Sequence, residues 1–166
     1  MISEHYFWQI IDASLENSTQ VGSIEQDNIL IQTLEGKTID ELTGFQLRLL
    51  RLRAGLEIKH VYSIAQQLGY TKLSDVFNRF KNGIIASGKA FYYHAKDKPD
   101  FLETFLKNNP QLLKQCYYEG LSLVAPSVFY ELTDYDASWD NALQKSKREL
   151  EIERKESNDI DNFLLY

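Results

Sequence analysis

Apolar residues recur along this chain with a helical period. Trp8, Ile11 and Leu15 fall three and four residues apart, with Phe7, Ile10 and Ser14 on an adjacent line, which predicts a first helix from Ser3 to about Asn17. Ser23 followed by Gln26 has capping-box spacing, and Gly36 stands just past Leu34, so residues 24–35 read as a second helix. Thr38 with Glu41 repeats the start signal. From there Leu42, Phe45, Leu49, Leu52 and Leu56 alternate three- and four-residue steps, the strongest amphipathic pattern in the chain. Glu57 to Leu68 carries Val61, Ile64, Ala65 and Leu68 on one face and stops at Gly69. A helix opening at Thr71 and running to about Ser87 turns Leu73, Val76, Phe77, Phe80, Ile84 and Ile85 inward.

Further along, Gly88 permits a bend before a helical segment from Lys89 to Lys96, and Pro99 suits the first turn of a short helix ending near Lys107. Asn109-Pro110 breaks the chain. The next helix is expected from Pro110 to about Leu132, kinked near Pro126, because a proline inside a helix removes a backbone donor and clashes with the preceding turn. Residues Asn141 to about Ser157 are dominated by charge, with Ala142, Leu143, Leu150 and Ile152 to bury and Lys147–Glu151 and Glu151–Lys155 at helical spacing. No alternating strand pattern with hairpin signals and no internal repeat occurs. The expected architecture is therefore all-α: one compact multi-helix domain over residues 1–140, with a charged helix and apolar tail over residues 141–166 docked on it.

Composition adds bounds. At 166 residues and 43% hydrophobic, the chain is about one domain and can bury a core without staples. Its one cysteine, Cys116, forms no internal disulfide, and the N-terminus has neither a basic n-region nor a cleavage site after an apolar run, so a cytoplasmic location is expected. Its apolar runs are far shorter than the roughly 20 residues needed to cross a bilayer, so no membrane association is expected. The net charge of −6 is uneven: −7 over residues 1–44, +6 over 45–100 and −5 over 101–166. Such a field repels a polyanion at long range and favours basic partners.

The basic middle third holds one stretch that raises DNA binding. In "VYSIAQQLGYTKLSDVFNRFK", a helix, a Gly69-Tyr70 turn and a second helix follow one another, and Ile64-Ala65, Gly69-Tyr70, Ser74, Phe80 and Lys81 resemble the second half of AraC-type activators. Under that reading Lys72, Arg79 and Lys81 would contact DNA. Phe77 and Arg79 each stand one residue late, however, and a one-residue slip turns a side chain by about 100°. A plain corner between two core helices explains the same residues.

A second resemblance covers about residues 5–140. "FWQIIDAS", Phe45, and then Ser74-Asp75, Phe77, Phe80, Ile84-Ile85, Gly88, Phe91 and Pro99-Asp100, with eleven residues from Gly88 to Pro99, resemble the bacterial domain-of-unknown-function family forty-two-forty. "YYEGLSLVAPSVFYELTD" and "SWD" extend the likeness, while Lys81, Asn82 and Gly83 depart from the family's usual arginine and tryptophan. The resemblance implies a fold and no chemistry.

Chemistry-bearing constellations are few. His5, His60 and His94 fall on three separate helices without metal-ligand spacing, and Cys116 is expected as a small buried hydrophobe, so neither a metal nor a cofactor is expected. Nucleotide-binding loops and hydrolase elbows are absent from the sequence. Glu131, Asp134, Asp136 and Asp140 gather around a turn, and Tyr118 and Glu119 stand upstream; exposed tyrosines are enriched in interface hot spots. The leading expectation is a non-enzymatic protein-binding module that uses these six residues, its specific form an immunity protein covering a basic toxin. The alternatives are a DNA-associated regulator, with nucleic acid disfavoured by the acidic balance, and an enzyme whose cleft would gather groups such as His94, Tyr118 and Glu119.

Overall fold

The computed structural model describes residues 1–67, 75–109 and 118–163, and of Pro99 and residues 153–163 it describes the backbone alone. The expected Gly69-Tyr70 turn, Lys72, the Asn109-Pro110 break's second residue, Cys116 and the last three apolar residues lie outside the described residues. Within them the chain is all-α: α1 (Glu4–Glu16), α2 (Ile24–Leu34), α3 (Ile39–Gly55), α4 (Lys59–Gln67), α5 (Asp75–Ala86), α6 (Lys89–Asp97), α7 (Pro99–Asn108), a 3-10 turn (Gly120–Ser122), α8 (Val124–Leu132) and α9 (Trp139–Phe163).

The strongest sequence pattern becomes the centre of the fold. Leu42, Phe45, Leu49, Leu52 and Leu56 of α3 and its C-terminal cap are buried, and α3 packs against α1, α5, α8 and α9. A full capping box starts it, with the Thr38 hydroxyl accepting from the Glu41 backbone N–H and the Glu41 carboxylate accepting from the Thr38 N–H at 2.9 Å. On α1 the predicted face closes on this helix: Phe7 packs on Phe45 with ring centroids 4.8 Å apart, and Trp8 on Tyr92 of α6 at 5.2 Å.

At α2 the capping signal is read differently. Ser23 caps Gln26 as its spacing implies, but the Gln26 side chain accepts from Gly22 N–H at 2.8 Å and donates to the Ser14 hydroxyl and the Ala86 carbonyl. This fully buried amide thereby joins α1, α2 and the end of α5, and each of its polar atoms is satisfied.

Four expectations are corrected. The segment before Leu132 is not one helix kinked at Pro126: a 3-10 turn at Gly120–Ser122 precedes α8, which begins at Val124. Pro126 therefore sits in the first turn, where backbone N–H groups have no intrahelical partner and a missing donor costs nothing. The charged helix runs from Trp139 to Phe163, starting earlier and ending later than expected; its early start follows from Ser138, which accepts from Asn141 N–H through its hydroxyl and from Ala142 N–H through its carbonyl. "SWD" is thus a helix start, and Trp139 is buried against Phe129 at 5.2 Å. On α9, Ala142, Leu143, Ser146 and Leu150 form the half-buried stripe toward α3, with Thr43 and Ser146 hydroxyls 2.8 Å apart; Ile152 is exposed instead of buried. Lys145 and Glu149 make the ion pair on this helix among the described side chains, in place of Lys147 with Glu151.

The eleven-residue interval from Gly88 to Pro99 also acquires a physical meaning. Gly88, at φ 92°, caps the start of α6, and Pro99 is the first residue of α7, so the interval is the length of α6 with its connection. A side chain at Gly88 would meet the Asp12 carboxylate, which accepts from Lys89 N–H at 3.0 Å and supplies the cap that glycine cannot.

Candidate functional site

The sequence-predicted partner residues divide into two groups at opposite ends of α8. Glu131, Asp134, Asp136 and Asp140 surround the connection from α8 to α9 and are all exposed. That connection turns through two consecutive left-handed residues, Asp134 at φ 48° and Tyr135 at φ 62°. Aspartate tolerates this conformation through local hydrogen bonding, whereas for tyrosine it is strained and must be held by its surroundings. The hold is visible: Tyr135 N–H donates to the Tyr130 carbonyl at 2.9 Å, and its ring lies parallel to that of Tyr130 at 5.7 Å. Tyr135 is nonetheless 74% exposed, and neighbouring Leu132 52%. The result is an exposed aromatic and aliphatic pair on a connection that also exposes four carboxylates.

Tyr118 does not join this surface. It is buried, its hydroxyl donates to the Asp27 carboxylate, and burial pushes that phenol far up, reinforced by the same bond. Asp27 is itself raised, by burial first, while the Tyr118 hydroxyl pulls it back down. Glu119 is paired with Arg79 of α5 at 3.0 Å. Tyr118 is thus buried away from the surface, whereas Glu119 stays exposed but is paired.

The DNA-facing residues are corrected in part as well. Lys81 is 1% exposed, its ammonium 2.8 Å from Glu57 and 4.6 Å above the ring of Phe77. The signal was present in the spacing, because 77, 80, 81, 84 and 85 share one face of a helix and four of them are apolar. A buried lysine needs its counter-charge, while two partners removed together cost little. Glu57→Gln is therefore expected to destabilise the fold by about 1–2 kcal/mol, discounted because Glu57 is more than half exposed, and Lys81→Met by less, in urea unfolding. The reverse order would mean that the pair itself stabilises.

For the enzyme reading, His94 is exposed on α6 with its ring 5.2 Å from Phe101, while Tyr118 is bound to Asp27. No described contact joins His94 to Tyr118 or Glu119. Among the described residues no group of three histidine, cysteine, aspartate or glutamate side chains is arranged to hold a metal ion, and no helix is long and apolar enough to cross a membrane.

What sequence reasoning missed is a polar cleft of about 390 Å³ at the other end of α8, between α3, α5 and the 3-10 turn. Arg53 enters it from α3, Asn78, Arg79 and Asn82 from α5, and Glu119 and Ser122 from the turn. Asn82 is buried and donates to the Tyr118 carbonyl at 3.0 Å and the Ser122 hydroxyl at 2.8 Å, while its Oδ1 has no partner among the described residues. Burial draws the Arg53 guanidinium below its ordinary value, partly offset by the field of Glu57.

Fold and surface together define an all-helical protein with an acidic, aromatic-tipped corner and a separate arginine-lined cleft. Residues 2–131 match the family described as Protein of unknown function (DUF4240), and the chain belongs to that family. No curated protein and no solved structure matches it.

Proposed function

We propose that this chain is a non-enzymatic binding module whose α8–α9 corner engages a basic protein, with toxin neutralisation by an immunity protein as its specific form. The observation that carries the reading is Tyr135, three-quarters exposed in a strained conformation and stacked on Tyr130, on a connection that also carries four exposed carboxylates. Interfaces concentrate affinity in a few anchors, of which tyrosine is a favoured type, while surrounding charge speeds and orients association. The net charge of −6 adds to the attraction for a basic partner. Lys81 buried and Arg79 paired leave the DNA alternative without support from these two side chains.

Capture from native lysate, or co-expression with the product of the adjacent gene, identifies the partner; repeated recovery of none would end the proposal. With that partner in hand, Asp134→Asn, Asp136→Asn and Asp140→Asn combined are expected to slow association about tenfold at low salt and much less at high salt. Asparagine keeps the left-handed backbone at position 134, so stability should change by less than about 0.5 kcal/mol. Tyr135→Ala should act mainly on dissociation. Unchanged binding kinetics in both variants would place the interface elsewhere.

A further inference from the structure

We infer that the cleft between α3, α5 and the Gly120–Ser122 turn is a binding site for a small carboxylate-bearing molecule, held between Arg53 and Arg79 with Glu119 as a built-in competitor. The argument is one of donors and acceptors. The Ser122 oxygen accepts from the Asn82 amide at 2.8 Å and from Arg53 Nη1 at 3.4 Å. A hydroxyl oxygen has two lone pairs, so its own O–H is left to donate, and it has no acceptor among the described residues. Arg53 brings further guanidinium N–H groups into the same space, and its partner there is that hydroxyl, not a carboxylate within ion-pair distance among the described residues. Glu57 lends it some favourable field, but the Glu57 carboxylate is held by Lys81 at 2.8 Å. A half-buried cation and a hydroxyl proton thus converge on an open cleft in which the charge is incompletely answered.

The chemistry of the occupant follows from the rim. Glu119 already places a carboxylate 3.0 Å from Arg79 Nη2, so the cleft accepts a carboxylate geometry, and Glu119 is half-exposed and able to swing away. Asp75 also lines the cleft, and two acidic side chains at its edge oppose a doubly charged phosphate more than a singly charged carboxylate. A volume of about 390 Å³ lies within the range of small-molecule pockets. Guanidinium forks match carboxylates in two parallel hydrogen bonds, which gives orientation as well as attraction. This inference is independent of the α8–α9 corner, at the other end of α8.

The test is an NMR titration of the full chain with sodium acetate, with sodium chloride and inorganic phosphate as separate arms at matched ionic strength. Saturable shifts of the Arg53 and Arg79 Nε–H signals and the Ser122 amide with acetate, absent with chloride, are expected. Glu119→Gln should tighten acetate binding by up to about fivefold, since it removes an exposed competitor. Arg53→Met should abolish the saturable shifts, and Ser122→Ala should weaken binding while preserving the Asn82 bond to Tyr118, which keeps the test readable should Arg53→Met fail to fold. Equal responses to chloride, unsaturable acetate shifts, or no gain in Glu119→Gln would overturn the site. Tighter binding of phosphate than acetate would overturn the carboxylate assignment.

Discussion

Phe45→Ala is expected to cost about 3–5 kcal/mol of stability, the range for deleting a fully buried aromatic ring. Phe45 has no exposed surface, stands in the middle of α3, and meets Phe7 of α1 with centroids 4.8 Å apart. Because α3 also contacts α5, α8 and α9, the cavity would open in the helix on which four others pack, and close packing leaves little freedom to relax into it. For a chain of this length each kcal/mol shifts the melting temperature by about 2–4 °C, so a fall of roughly 6–20 °C in thermal unfolding is the expected reading. Leu132→Ala, at a half-exposed position on α8, serves as the control and should change stability by less than about 0.5 kcal/mol. Similar losses in both would mean that α3 is not the organising helix.

Gly120→Ala comes next, at about 1–3 kcal/mol, the usual penalty of forcing an extra methyl into a packed site. A Cβ there would lie 2.7 Å from Asp27 Cγ and closer still to its oxygens, so the carboxylate would have to leave the Tyr118 hydroxyl. Asp27→Ala in the same chain should relieve the clash, making the double variant more stable than the sum of the single losses by about 1 kcal/mol. The junction also carries a pH signature. Burial raises Asp27 above the ordinary carboxylate range, so the folded state holds this proton more tightly than the unfolded state. Its contribution is fully present below the unfolded value and is lost as pH rises through the raised one. Asp27→Asn should therefore flatten the dependence of melting temperature on pH across that interval; an unchanged profile would show that Asp27 titrates normally.

The helices and the core were legible in the sequence because both depend on local spacing. Leu42 to Leu56 and Phe77 to Ile85 fix which faces turn inward, and the Thr38–Glu41 box fixes where α3 begins. The start of α9 was misplaced because Trp139 looked like part of a turn, although Ser138 ahead of it has the chemistry of a cap. Lys81 was misjudged for a different reason: a polar residue on an apolar face is read as solvent-facing unless its partner is known, and Glu57 lies 24 residues away. The capping spacing of Gln26 likewise says nothing of its bond to Ala86, 60 residues away. The acidic corner was legible as a group, since its four carboxylates are close in sequence; the exposure and strain of Tyr135 were not. Nothing local announces the Arg53 cleft, whose walls come from positions 53, 79 and 122.

Asp12 carries a consequence for the order of folding. The first amide of α6 takes its cap from α1, 77 positions away in sequence, and Gly88 leaves room for no local substitute. Because closing so long a loop must be compensated by many contacts formed together, α6 gains its start only once α1 has docked. Helices far apart in sequence thereby join one cooperative unit, and local opening of α1 leaves the first amide of α6 without its cap.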